Sequence, residues 1–458
     1  MENSGEARLD IPIPPFIRSI FERLAGAGHE AWVVGGAVRE AFMGRPVSDW
    51  DLATDAGADE IQGLFREVRS FRLKHDTVTL LNKGLSCQVT PFRGSLDEPG
   101  SIKQDLAHRD FTFNAMAYDP IHRAVVDPQG GRKDIHRRVV RAVGRPLDRF
   151  VEDPLRLLRA ARFSATLEFV VEKGTLAAMT ASADRVLEAA PERIREEVTG
   201  ILLAGKPSTG LRIMRRTGLL DRILPELAEG HLKRQNEHHR FTILRHAMET
   251  VDRVDPVPAL RWAALLHDVA KPRVRRKAHG RWRFATHAEA SADMAEMIME
   301  RLRLDRDMIA LVSRLIRYHM IGYDPGWSDG AVRRLVRRVG REGIGSLIAL
   351  RKADILAHGL PGLRGTVLEE LDVRIRNILE EPPVLRRRDL ALNGRDIMEI
   401  LGLGPGPRVG EIISLLMEKV IDHPSLNTKD DLKTLLEEMR TAEGKEAVHG
   451  GNDSRDKN

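Results

Sequence analysis

The chain has 458 residues, with 73 Lys plus Arg against 67 Asp plus Glu and a net charge of +6; 58 of those cations are Arg and 15 Lys. Aromatics at 5% and charged residues at 31% suit a largely helical protein better than a β-sandwich, and a single cysteine, Cys87, excludes a disulfide framework and a Cys-based zinc site. No run approaches the roughly 18 apolar residues of a membrane span. Met1 to Pro15 carries acids and prolines without an apolar stretch, so it does not read as a secretory signal, and a reduced, cytoplasmic compartment is expected. The length predicts about three domains. A pI near 9.5 points to polyanions, but the acids nearly match the bases, so any positive patch must come from segregation along the chain.

The first 145 residues read as mixed α/β. Ala31 to Val34 is a short apolar strand running into Gly35-Gly36. Thr77–Leu81 and Leu85–Thr90 read as paired strands across Asn82-Lys83-Gly84, with Leu85, Cys87 and Val89 on one face and Ser86, Gln88 and Thr90 on the other. From about Asp148 the pattern becomes helical. Val151–Phe169 reads as one helix with Arg156, Arg159 and Arg162 three apart. Ser208–Leu227 is a second helical segment with Ser208 as candidate N-cap, His238–Ala357 a longer one that holds most of the histidines, and 362–439 a third, interrupted at Gly402–Pro407. The polar tail from Thr441 lacks periodicity and reads as disordered.

Two constellations carry chemistry. In the first, the Gly35-Gly36 turn between strand and helix lets backbone amides approach a phosphate. Thirteen residues past Gly36, Asp49 and Asp51 flank Trp50, and in a strand i and i+2 face the same side. Two carboxylates and a triphosphate make a Mg²⁺ site, and such ions can activate a hydroxyl and stabilise a leaving pyrophosphate. The stretches Val33–Arg39, Gly44-Arg45-Pro46 and Asp49–Thr54, then Arg109–Ala115, Asp127-Pro128 with Gly130-Gly131 and Asp134, Glu152–Phe163 and Glu192–Glu197 occur in order. Together they resemble the class II tRNA nucleotidyltransferase and bacterial poly(A) polymerase superfamily, over at least residues 31–225.

The resemblance implies roles. Asp49 and Asp51 would carry catalytic Mg²⁺; Gly35, Gly36, Arg39, Arg109 and Asp110 would belong to the nucleotide site. Asp153 and Arg156 would act as an amino-acid template for the base: a carboxylate accepts from the exocyclic amine of C or A, and a guanidinium donates to ring acceptors. Arg159 and Arg162 would extend the phosphate or base contacts. Two positions depart from the family: Glu40 follows Val38-Arg39 where Asp is usual, and Gln88 stands where many members place a third carboxylate. The fifteen residues Gly94–His108 are shorter than the loop of CCA-adding members. In the family this loop helps the pocket change from CTP to ATP, so the resemblance leaves two expectations open: addition of all of CCA from CTP and ATP, or of the two C residues alone beside a separate A-adding enzyme. Lys74-His75-x-Thr77 resembles the tRNA enzymes rather than poly(A) polymerase, which remains an alternative.

The second constellation is His246, His267-Asp268 and Asp354 in a helical region. An adjacent His-Asp pair with further ligands on other helices fits a divalent metal with nitrogen and oxygen ligands. This resembles an HD phosphohydrolase domain, implying a transition metal (Ni, Mn, Co or Fe), with Lys271, His287 and His319 as auxiliaries and 2′,3′-cyclic phosphates or small phosphoesters as substrates. A phosphohydrolase with a vestigial transferase head is therefore a second alternative, and an RNA-binding protein without turnover a third.

The expected fold is α+β: a small mixed α/β nucleotidyltransferase head (1–145), then mostly α-helical units. These are a neck with base-recognition helices (146–235), an HD domain (236–360), a C-terminal helical tRNA-binding region (361–440) and a disordered tail (441–458). Leu390–Met398 and Gly404–Gly410 resemble the end of tRNA-processing members, which read RNA by shape and backbone. The implied partners are tRNA, CTP and ATP, with no membrane.

Overall fold

The computed structural model describes residues 11–72, 76–93, 100–236, 239–359, 366–380 and 387–449. Two compact units result, 1–229 with 298–304, and 230–297 with 305–458. No helix among the described residues is long and apolar enough to cross a membrane.

The first unit opens on a seven-stranded mixed sheet. Its strands are β1 Ala31–Val34, β2 Trp50–Thr54, β3 Arg69–Arg72, β4 Val78–Asn82, β5 Leu85–Pro91, β6 Ala117–Asp119 and β7 Ala124–Val126, in the order β3-β4-β5-β2-β1-β6-β7. Only β2 and β5 run parallel. The expected hairpin forms: Asn82 pairs with Leu85, and Lys83 and Gly84 both take positive φ (46° and 86°), the backbone that a two-residue turn needs to match strand twist. Helices α1 Pro15–Gly26, α2 Gly36–Phe42, α3 Ala58–Leu64, α4 Ile102–Ala107 and α5 Gly131–Arg137 accompany the sheet. One sheet face buries Val33, Trp50, Leu52, Leu80, Cys87 and Val89 against Ile17, Ile20 and Phe21 of α1. Ala53 and Val34 join Phe92, Leu106 and Val143 in a smaller cluster. Asp51, two residues from Ala53, projects to that second side by strand alternation.

The remainder of this unit is helical: α6 Pro146–Glu152, α7 Arg156–Leu167, α8 Lys173–Ala181, α9 Pro191–Leu202, α10 Pro207–Thr217, α11 Leu219–Ile223 and α12 Pro225–Ala228, with a two-residue parallel pair β8 Val139–Val140 and β9 Val170–Val171. Two expectations are corrected. The single helix Val151–Phe169 is broken between α6 and α7, because Pro154 disfavours helical backbone at Asp153, which is extended (φ −143°, ψ 102°). Ser208 is not an N-cap: α10 starts at Pro207, whose fixed φ suits the first helical position, and Ser208 is buried inside the helix.

The second unit comprises α13 Ile243–Val251, α14 Pro258–Leu266, α15 Lys271–Val274, the start of α16 His287–Arg301, α17 Arg306–Tyr318, α18 Asp329–Val339, α19 Ile344–Ala357, α20 Thr366–Glu380, α21 Gly394–Leu401, α22 Pro407–Asp422 and α23 Lys429–His449. Against the expectation of a purely helical segment from His238, it holds an antiparallel ribbon, β10 Arg276–Ala278 and β11 Arg281–Arg283. Helices α21 to α23 close a small core of their own around Leu392, Ile397, Ile412, Leu416, Val420 and Leu436. The expected disordered tail is corrected in part: α23 continues through Thr441 to His449, carried by the helix formers Ala, Glu and Lys where apolar periodicity fails. Residues 450–458 lie outside the described part.

Two features fix α7 in place. Gly210 of α10 allows close approach: a β-carbon there would lie 2.7 Å from Ile201 Cγ2, 3.0 Å from Ala161 O and 3.3 Å from Ala165 Cβ. The buried Asp110 carboxylate receives Arg159 Nε at 2.8 Å, with Phe111 N and Asn114 Nδ2 also donating to it. Burial alone would raise its pKa; Arg159 and these donors outweigh burial and hold it at about 2. Gly210→Val is expected to lose about 1–3 kcal/mol in urea unfolding through overpacking. Asp110→Asn is expected to lose about 3 kcal/mol, the low end for a broken buried pair, because the Arg159 side chain is 33% exposed. A depressed carboxylate stabilises the fold above its unfolded pKa near 3.9, and that stability fades as the pH drops towards about 2. Melting temperatures from pH 5 to 2 should therefore fall less steeply in Asp110→Asn than in the parent.

Candidate active sites

In the first unit the sheet register builds the site. Val34 pairs with Asp51, so the chain leaves β1 at Gly35 directly beside that carboxylate. Gly35 has φ 68° and ψ −128°. A β-carbon on it would lie 3.1 Å from Arg109 Nη1 and 3.5 Å from Asp51 Oδ2. Both the backbone angle and the space select glycine. Gly36 then opens α2 with Arg39 Nη2 close by. Asp49 stands one residue before β2, exposed. Burial raises the pKa of Asp51; Arg109 lowers it, Asp49 raises it, and Arg159 and Arg39 lower it. Asp49, Asp51, Gly35, Gly36, Arg39, Arg109 and Arg159 thus converge. Gln88 is the parallel-strand partner of Asp51.

The cations of this site are held from behind. Arg39 donates to Glu40 Oε1 through Nε (3.0 Å) and Nη2 (2.7 Å), and to Asn114 Oδ1. Arg109 pairs with Asp105 at 2.9 Å. Arg162 Nε donates to Glu197 at 2.6 Å. The Phe163 ring lies under three guanidiniums, those of Arg162, Arg39 and Arg159, at 4.5, 5.4 and 5.5 Å, a cation–π arrangement that tolerates like charges side by side. Glu40, Asp105, Asn114, Phe163 and Glu197 were not singled out as site residues from the sequence; Glu40, adjacent to Arg39, and Asp105, four residues from Arg109, had a local signal.

Three of the expected residues are engaged in pairs of their own. Asp110 is buried and receives Arg159. Asp153 and Arg156 are not paired with each other. Asp153 receives Arg193 at 3.1 Å and the amide of Leu155. Arg156 turns inward to Glu152 (2.6 Å) and His108 O (2.8 Å).

In the second unit His246 on α13, His267-Asp268 after α14 and Asp354 on α19 meet in the interior, none more than 3% exposed. His246 Nε2 lies 3.0 Å from Asp354 Oδ1 and 3.2 Å from His267 Nε2. The Nδ1 atoms of His246, His267, His287 and His319 sit 3.2, 3.0, 2.7 and 2.7 Å from the carbonyls of Ala357, Ala264, Phe284 and Ile316. With Nδ1–H spent on backbone, each Nε2 is left facing inward. His287 Nε2 and His319 Nε2 lie 3.6 and 4.0 Å from Asp268 Oδ1.

Lys271 Nζ is 2.6 Å from Asp268 Oδ2 and donates to Gln235 at 2.9 Å. Despite that ion pair, both Asp268 oxygens and His287 Nε2 lack a well-directed hydrogen bond. Buried, inward-facing nitrogen and oxygen atoms without such partners fit a divalent metal. Burial would lower His267, but Asp268 and Asp354 outweigh it and raise it to about 10. A bound cation would take the place of that proton. A cavity of about 470 Å³, lined by Arg234, Gln235, His239, Arg240, Phe241 and Arg245 among others, shares Gln235 with Lys271. The rings of His239 and His358 lie 5.2 and 5.5 Å from that of His246, the first edge-on and the second tilted; the i, i+4 spacing of Asp354 and His358 was a sequence signal for His358.

Comparison with known proteins identifies the family. The family model described as the poly A polymerase head domain matches residues 31–141; that described as the probable RNA and SrmB-binding site of polymerase A matches 168–230; that described as tRNA nucleotidyltransferase domain 2, putative, matches 282–436. The chain is 34% identical to the A-adding tRNA nucleotidyltransferase of Deinococcus radiodurans, over 89% of this chain and 92% of that protein. It is 32% identical to the CC-adding tRNA nucleotidyltransferase of Thermus thermophilus, over 92% and 96%. The crystal structure of the Bacillus stearothermophilus CCA-adding enzyme in complex with CTP superposes with a TM-score of 0.72 at 25% identity, covering 95% of this chain and all of that one. The chain belongs to the tRNA nucleotidyltransferase family that carries the poly A polymerase head.

Proposed function

We propose that this enzyme extends the 3′ end of tRNA without a template, using CTP and ATP. The observation that carries the reading is the convergence of Asp49 and Asp51 with the Gly35 turn and the Arg39, Arg109 and Arg159 guanidiniums. The tRNA 3′-hydroxyl oxygen would attack the α-phosphorus; the new P–O bond forms, the bond to the bridging oxygen breaks, and pyrophosphate leaves. Asp49 and Asp51 would hold a divalent metal, Mg²⁺ by its preference for oxygen ligands, which supplies positive charge to the reacting phosphates. Arg39 and Arg109 would bind the triphosphate as fixed, already paired donors. Recognition of C or A by Asp153 and Arg156 requires Arg156 to leave Glu152 and the His108 carbonyl when nucleotide binds. The proposed division of labour gives catalysis to 1–145, base recognition to 146–235 and tRNA contact to 361–440.

The short Gly94–His108 segment favours addition of the two C residues alone, with a separate A-adding enzyme completing the end; Gly94–Pro99, and Lys74-His75, lie outside the described residues. Relatives named for A-, CC- and CCA-addition match to similar degrees, so the substrates must decide. Purified protein is offered tRNAs ending at the discriminator base, at C and at CC, with CTP or ATP alone. CMP should enter the first two, and AMP addition to the CC end overturns the restriction. Asp49→Ala should cut CMP incorporation at least 10³-fold, and activity surviving it overturns the transferase assignment.

The inward-facing Nε2 atoms support a second reading, a phosphohydrolase site. His246, His267, Asp268 and Asp354 would hold a transition metal (Ni, Mn, Co or Fe), which supplies an activated water. Lys271 would neutralise charge developing on phosphate, and His287 and His319 would complete the pocket. The arginine-lined cavity suits 2′,3′-cyclic phosphates or phosphomonoesters. Asp268→Asn is expected to lose bound metal, read by elemental analysis, and hydrolysis of 2′,3′-cyclic AMP, while CMP incorporation is kept. Unchanged hydrolysis overturns this reading.

A further inference from the structure

The ribbon β10–β11 belongs to neither site. From Val269 to Ala288 the sequence contains no Asp or Glu, yet it holds seven Lys or Arg: Lys271, Arg273, Arg275, Arg276, Lys277, Arg281 and Arg283. The register places Arg276 opposite Arg283, Lys277 opposite Trp282 and Ala278 opposite Arg281. By strand alternation one face carries Arg276, Arg281 and Arg283, and the other Arg275, Lys277 and Trp282. Arg275 stacks on the Trp282 ring at 4.2 Å. Arg276, Lys277, Arg281 and Arg283 are exposed.

Like charges directly opposed on two strands destabilise the pairing. Elsewhere in this unit several partly exposed arginines are answered by carboxylates: Arg334 by Glu418 and Asp422, Arg337 by Glu418, Arg374 by Asp329 and Arg317 by Asp293. Among the described residues no carboxylate pairs with Arg276, Lys277 or Arg283. A repulsive, acid-free ribbon with a stacked Arg–Trp pair is suited to a polyanion carrying flat bases. Its two ends run into the metal-type cluster: Lys271 and His287 both address Asp268, and Lys271 Nζ lies 5.4 Å over the Phe284 ring.

We propose that this ribbon binds the phosphate backbone of RNA, with Trp282 offering a stacking face, and that it guides an RNA end towards the cluster at its base. The choice of RNA rests on the tRNA nucleotidyltransferase reading; it does not depend on hydrolysis at the cluster.

The test is the salt dependence of tRNA binding by the full chain, read by fluorescence anisotropy of an end-labelled tRNA between 50 and 200 mM KCl. Each phosphate contact contributes roughly 0.7–0.9 to the slope of log K against log salt. The triple variant Arg276→Ala, Lys277→Ala, Arg283→Ala should lower the slope by about two and weaken Kd at least tenfold at low salt. The charge-keeping variant Arg276→Lys, Lys277→Arg, Arg283→Lys should retain the slope. CMP incorporation at saturating tRNA reports separately on the transferase reading and on folding. A triple variant with normal incorporation and an unchanged slope overturns the proposal. So does loss of binding to phosphatidylglycerol vesicles with tRNA binding intact, which would make the ribbon a membrane contact.

Discussion

A charge removed from water has to be met by an opposite charge or a directed donor, or the group changes its protonation. That constraint organises both functional regions. In the first unit Asp110 is buried and stays ionised because Arg159, Asn114 and a backbone amide converge on it. Arg159, so anchored, is carried on α7 towards Asp51, which feels its charge. The pair therefore both ties the segment after α4 to α7 and aims a cation. In the second unit Asp268 and Asp354 are buried among histidines, each with its own cation, Lys271 and Arg351. There the accumulation of ligands goes further than a fold requires, and nitrogen and oxygen atoms are left pointing at one another.

The two regions use cations differently. Around Phe163 three guanidiniums are fixed from behind by Glu197, Glu40, Asn114 and Asp110. Their motion is spent before a ligand arrives, so binding a triphosphate does not have to order long side chains. The β10–β11 ribbon instead leaves Arg276, Lys277 and Arg283 without carboxylate partners among the described residues, as a surface for a mobile polyanion would. One arrangement favours a ligand of fixed shape; the other favours a chain that can slide.

Much of this was legible in the sequence, because the elements have local signatures. The Gly35-Gly36 turn, the Asp49/Asp51 spacing, the strands on either side of Lys83-Gly84 and the His267-Asp268 dipeptide are all read within a few residues. What escaped depends on distance or on competing rules. Nothing near Asp110 announces that its partner lies 49 residues on. Asn114 reaching Arg39 and Gln235 reaching Lys271 are likewise consequences of packing. The ribbon was hidden because helical residues surround it and its strands are three residues long. The end of α23 was missed for a different reason: backbone propensity extended the helix where the apolar pattern had stopped. Asp153 and Arg156 illustrate a further limit, since their spacing puts them near each other while local pairing sends them to Arg193 and Glu152.

The neighbour of Asp51 across the parallel strand is Gln88, a neutral amide. Asp51 is already raised by burial and by Asp49. A third carboxylate there, on the central strand pair of the sheet, would set another like charge beside Asp51. With an amide in that place, one like charge fewer stands beside Asp51, and the strand pairing has less repulsion to offset.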